Sequence, residues 1–162
     1  MSEPAVTALR MPAAYGAPDE RERLPWSWVV ERLTSARNYW VCTTRPDGRP
    51  HTAPVWAVWL DDAIWFSTSA VSQKGRNLAA NPRVVVHLES GSEVVVVEGE
   101  AARERCGATL DAFVETYEAK YAWRIDTADD DYAVHVVRPL VVHAWTEAGF
   151  PRNATRFAFI HR

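Results

Sequence analysis

The sequence predicts a mainly β chain, an antiparallel β-barrel with flanking helices. Two observations predict it. About eight short runs of apolar, aromatic and β-branched residues follow one another, parted by turn signals such as PDGRP at Pro46 to Pro50 and the pair Asp61-Asp62. A few stretches break that rhythm with helical spacing, among them Trp26, Val29, Val30 and Leu33, and later Leu110, Phe113, Val114, Tyr117 and Tyr121. Short antiparallel strands at hairpin spacing suggest closure into a barrel, which removes exposed sheet edges.

The elements follow in order. Residues 1–24 read as a flexible arm with a charged run at Asp19 to Arg23, and residues 25–162 as one domain. Pro25 suits a helix start, and a helix is expected from Trp26 to Arg37. Tyr39 to Arg45, His51 to Leu60 and Ala63 to Thr68 read as a three-stranded meander. The loop Ser69 to Ser72 is small and polar. Ser72 then opens a helix at Gln73, because its hydroxyl can accept from an unpaired amide, and Asn81-Pro82 stops that helix after Ala80. Strands are expected at Arg83 to Glu89 and Glu93 to Ala101, with the run Val94 to Val97 buried on both faces. A helix from Cys106 to Ala122 leads to an acidic loop at Asp126 to Asp131. Tyr132 to Val137 and Leu140 to Glu147 read as separate strands divided by Arg138-Pro139, and Ala154 to Ile160 as the last.

Composition narrows the function classes. The 162 residues are 48% apolar, with net charge −3 and pI near 5.9. That suits a globular chain, and the absence of a basic run argues against a nucleic-acid surface or a basic membrane patch. No apolar run is long enough to span a bilayer, and the N-terminus lacks the apolar core of a signal peptide. Cys42 and Cys106 have neither metal spacing nor a disulfide pattern, so reduced thiols in a cytoplasm are the expectation. Eight tryptophans imply a bulky core, a stacking site or an aromatic interface.

Most catalytic signatures are missing. His51, His87, His135, His143 and His161 show no ligand spacing; strand alternation alone brings His87, His135 and His143 within possible reach of one another. There is no nucleophile elbow, no GxGxxG and no P-loop, and the acidic loop lacks the glycine and terminal glutamate of a calcium site. No metal is expected, and no residue stands out as an acid or base to which a catalytic role can be assigned. What stands out is the Ser72 helix: free amides, a partial positive charge and Lys74 in its first turn, where a cation opposes the helix dipole. A capped surface helix with solvated Lys74 and Arg76 is the bland alternative.

The order of features adds to this. A leading helix, then TTRPDGRPHTAPVWAVW, IWFSTSAVSQKGRNLAANPRVVVHLE and VVVVEGEA, with KYAW at Lys120 to Trp123 and ATRFAF at Ala154 to Phe159, resembles the pyridoxamine 5′-phosphate oxidase-like split-barrel proteins. More narrowly it is similar to the flavin and deazaflavin (F420) branch. The resemblance implies a split β-barrel of the FMN-binding type and a homodimer with the cofactor, FMN or F420, at its interface. The implied activity is hydride transfer to or from a small organic substrate. A non-catalytic flavin or deazaflavin carrier, and a haem-binding protein of related fold, are the alternatives it leaves.

The resemblance also implies site residues. Ser72, Gln73 and Lys74 would hold the cofactor phosphate, with Ser67 and Thr68 at the strand end nearby. Gln73 stands where relatives carry an arginine, which removes one positive charge. Thr52, Pro54, Val55 and Trp56 would face the ring, and Trp145 and Arg156 would reach it from the second subunit. Arg76, Arg83 and Arg103 are possible contributors to a basic groove for the acidic tail of F420.

Overall fold

A computed structural model describes residues 3–16, 22–128 and 131–160. Part of the charged run at 19–23, part of the acidic loop and His161 therefore lie outside the described residues. Eight strands occur among those described: β1 Ala5–Ala8, β2 Asn38–Thr44, β3 Pro50–Leu60, β4 Ala63–Ser69, β5 Arg83–Leu88, β6 Glu93–Glu104, β7 Tyr132–Thr146 and β8 Thr155–Ala158. Three α-helices join them: α1 Trp26–Ser35, α2 Gln73–Ala80 and α3 Ala108–Tyr121. The strands run in the order β1-β8-β7-β4-β3-β2-β5-β6, and β6 pairs back onto β7. Six strands thereby close into an antiparallel barrel, and β8 and β1 extend the sheet beyond it.

Alternation fills the barrel. Tyr39, Val41, Val55, Ala57, Ile64, Phe66, Val86, Val97, Val142 and Phe157 point inward and form one core cluster. A second cluster lies outside the barrel wall, where α3 lays Phe113, Val114, Tyr117 and Tyr121 over Val58, Trp65, Val134 and Val136. β3 and β4 thus have two buried faces along Ala57–Leu60 and Ala63–Phe66, which explains their near-continuous apolar sequence.

The barrel is split beside this double layer. Cα partners of β3 and β4 run only from Ala57↔Phe66 to Leu60↔Ala63. Before Ala57, β3 pairs with β2 alone, while Ser67 to Ser69 of β4 pair with β7. Loop 70–72 and α2 follow from that free end of β4.

Three expectations need correction. Arg138-Pro139 does not divide a strand, because β7 is continuous over fifteen residues. Glu98 pairs with Val141 and Gly99 with Pro139, so Leu140 is an extra residue in a bulge, which accommodates a proline that cannot donate to the ladder. Gly99 is required there, since a Cβ on it would collide with the Arg138 carbonyl oxygen. The run Val94 to Val97 is not buried on both faces; Val95 and Val97 enter the core, while Val94 and Val96 are half-buried on the outside. The expected loose arm contains β1, which pairs with β8 from Ala5↔Ala158 to Ala8↔Thr155. Four residues with no alternating burial give no periodic signal.

Candidate functional site

The end of the barrel beside the split is covered by α2, which forms from Gln73 to Ala80 as its cap and proline stop predict. Ser72 Oγ accepts from Gly75 N at 3.1 Å and lies 3.2 Å from Thr68 Oγ1. The first intrahelical bond is Arg76 N to Ser72 O, which leaves the amides of Gln73 and Lys74 without an intrahelical acceptor. Gly75 lets the loop sit on the helix, because a Cβ there would fall on the Ser69 carbonyl oxygen and within 2.8 Å of that of Ala70. Asn77, fully buried, donates from Nδ2 to Thr43 Oγ1 at 2.9 Å and accepts from Gln73 Nε2 at 2.8 Å. The helix is thus fastened to β2 by a buried polar side chain.

Lys74 is half-buried here, and that burial pushes its pKa below the ordinary lysine value. Among the described residues no carboxylate pairs with it to restore the ordinary value. Ser67 Oγ, at the free end of β4, is buried without a hydrogen-bond partner. A half-buried cation and two unclaimed amides suit an anion with further acceptors. Gln73 departs from its expected part, since its side chain is bound along the helix to Asn77 and Arg76; only its amide remains available.

The β3 residues separate by strand alternation. Thr52, Pro54 and Trp56 share the outer face and are exposed, whereas Val55 points into the core at 8% exposure. Val55 and Trp56 cannot pack against one ring. Trp56 stacks on Tyr121 at 4.8 Å and 3°, on the outer side of the barrel. Lys120 and Tyr121, both within KYAW, are not among the site residues that the resemblance implies. Tyr121 Oη lies 2.7 Å from the carbonyl oxygens of Arg37 and Ala57 and accepts from Ala57 N at 3.0 Å, just past the point where β2 and β3 stop pairing. Lys120 Nζ donates to Ala57 O at 3.0 Å and Thr34 O at 3.4 Å. Burial, and then the Arg37 charge, lower it to about 8. This pair locks α3 to α1 and β3.

Trp145 and Arg156 lie elsewhere, on β7 and β8. Trp145 is half-buried with its ring 6.1 Å from Phe150; Arg156 pairs with His143 on one side and Thr7 on the other. Within one protomer they do not meet the α2 residues, which pack on β2, β3 and β4. Arg76, Arg83 and Arg103 form no common groove either. Arg76 is held to Val71 O and Gln73 on α2, Arg83 starts β5, and Arg103 lines a cavity of about 170 Å³ that neither of the others reaches.

The histidines do not converge. His135 faces inward and stacks on Phe66 at 5.4 Å; burial lowers its pKa, and Arg103 adds to that against a bond to Ala133 O. His87 and His143 face outward with Val96 between them. Among the described residues no three His, Cys, Asp or Glu side chains group as a metal site, and no helix is long and apolar enough to cross a membrane.

The pyridoxamine 5′-phosphate oxidase family model matches residues 28–146. The chain belongs to that family. The match spans the barrel from α1 to the end of β7, and with it both the split and the α2 pole. A pyridoxine/pyridoxamine 5′-phosphate oxidase of Sphingopyxis alaskensis is 33% identical over 139 residues, covering 82% of this chain and 61% of that protein. The chain thus spans about three fifths of that relative. Among solved structures, a haem-binding protein from Mycobacterium smegmatis superposes with a TM-score of 0.65 at 23% identity, covering 81% of this chain and 57% of that one. An F420 reductase superposes with a TM-score of 0.54 at 25% identity, covering 69% and 94%. The family split barrel is therefore the fold of this chain, with three helices around six closed strands.

Proposed function

We propose that the protein is an oxidoreductase that binds FMN or F420 and moves hydride to or from a small organic substrate. The observation that carries this is the α2 pole: a half-buried Lys74 without a counter-charge among the described residues, and the free amides of Gln73 and Lys74. These groups fit a cofactor phosphate. Family membership and the F420 reductase neighbour support the choice of cofactor classes. The cofactor supplies the hydride chemistry; the chain binds and orients it. Thr68 and Ser72 hold the helix start in place, and the outer face of β3, with Thr52, Pro54 and Trp56, is the surface left for a ring.

The reading includes a homodimer with the cofactor at its interface, where Trp145 and Arg156 would approach from the second subunit. Its support is an apolar outer wall on which Trp40, Val94, Val96 and Trp145 are only half-buried. A stable monomer with full cofactor occupancy in sedimentation would remove that part of the reading.

The decisive test is titration of FMN and F420 against the parent and Lys74→Ala at fixed salt. Loss of one charge-assisted hydrogen bond, about 1.5–3 kcal/mol, predicts a tenfold to hundredfold weaker Kd. Equal affinities for every cofactor would place the phosphate elsewhere. Turnover of the bound cofactor separates an enzyme from a carrier. The haem alternative draws on the haem-binding neighbour and needs a histidine free to ligate. His143 Nε2 is bonded to Glu98 and His135 is stacked in the core, which leaves His51 and His87, each with Nε2 unengaged among the described residues, as the histidines to replace in testing the haem reading.

A further inference from the structure

The arm builds a second concavity, within one protomer, that shares Arg156 with the proposed cofactor reading and adds residues which that reading does not use. β1, the residues just after it, and the outer faces of β8 and β7 enclose a cavity of about 630 Å³. Thr7, Arg156 and His143 lie directly opposite one another on the three successive strands, and Arg10 closes the row from the arm. Neighbouring side chains on one sheet face stand about 5 Å apart, so these groups face a common space.

The charges there do not cancel. His143 Nε2 bonds Glu98 Oε1 at 3.1 Å, which engages the carboxylate beside the cavity. Neither the Arg156 nor the Arg10 guanidinium makes a hydrogen bond or ion pair with any described residue. Arg156 is half-buried and Arg10 exposed. A guanidinium in such a wall, with its planar fork of donors unfilled, is suited to a carboxylate or phosphate. Two of them on one cavity suit a ligand with more than one negative charge.

We propose that the β1–β8–β7 cavity is a binding site for the acidic part of an organic anion, clamped between Arg156 on the barrel and Arg10 on the arm. The proposal rests on the cofactor reading only for what carries the anion, since the cavity is formed within one protomer. Two sources share this chemistry: a free carboxylate or phosphate compound acting as substrate, and the acidic tail of F420. The arm then has a purpose beyond covering a sheet edge, because it brings the second cation.

Calorimetric titration of the FMN-loaded full chain with succinate and with inorganic phosphate, and of the FMN-free chain with F420 and FMN, tests it. The variants are Arg10→Ala, Arg10→Glu and Arg156→Ala. Each alanine is expected to weaken the clamped anion by about tenfold or more, and Arg10→Glu further. In the Arg10 variants, loss of succinate or phosphate binding identifies a free anion, and loss of F420 binding with FMN unchanged identifies the tail. If the parent and all variants bind every probe alike, the proposal is overturned. Arg10 is exposed and outside the ladder, so its variants keep the test available should Arg156→Ala fold poorly. Lys74→Ala separates the two readings. FMN affinity insensitive to Lys74, with anion binding sensitive to Arg10, would sink the phosphate assignment and leave this site standing.

Discussion

Around α2 almost every polar side chain is satisfied within the protein, whereas around β1 the guanidinium groups are left over. Asn77 is fully buried and bonded twice, Ser72 caps its helix, and Gly75 admits the loop backbone. Lys74 stands out from that network. At the β1 edge the backbone ladder is regular, but the Arg10 and Arg156 guanidinium groups have no partner among the described residues. A rigid, pre-arranged pole suits a cofactor held in one pose. An edge built from a four-residue strand suits a site that is assembled late and given up at little cost.

This contrast can be broken most severely at Gly75. Gly75→Val would drive two methyl groups into the backbone of 69–70, which cannot turn aside as a side chain can. A loss of about 3 kcal/mol is expected, read as a lower urea midpoint, together with loss of FMN binding. A variant of parental stability would mean that the loop has room to move. Next comes Asn77→Ala, which leaves Thr43 Oγ1 and Gln73 Nε2 without their partner. It should cost about 2 kcal/mol by the same measurement. Full stability would show that water or a repacked Gln73 takes over. The smallest effect is expected at the other region. Removal of residues 1–11 should change global stability by less than about 1 kcal/mol, since amides at such an edge open locally before the barrel does. Hydrogen exchange as slow in β8 as in the barrel strands, lost throughout the protein on truncation, would erase the difference between the two regions.

The α2 pole was legible because its signals are local. A serine cap, a small-residue loop and a proline stop lie within a few residues of one another, and the helix starts and ends where they say. The strands of the meander were legible from alternation, to within a residue or two. β7 was misread because Pro139 is a strand breaker in isolation, and only its partner strand shows that Leu140 absorbs it in a bulge. The same non-locality hid the ring-facing side of β3. Neighbours Val55 and Trp56 look alike in sequence, and alternation parts them to opposite faces. Asn77 gave no warning, since an asparagine in a helix is ordinarily solvated; its value comes from Thr43, thirty-four positions away. Arg10 was lost in a segment without periodicity.

The placement of β1 also bears on how the molecule avoids open-ended association through a sheet edge in a crowded solution. Without it, the outer edge of β8 would offer its unpaired amides and carbonyls beside the apolar Phe157 and Phe159, a template for another chain to extend. β1 replaces that edge with one only four residues long, preceded by Pro4 and followed by Pro12. Proline can donate nothing to an incoming strand, so growth of the sheet is discouraged at both ends of the segment. Clipping the arm would therefore leave a folded barrel that is prone to associate through β8.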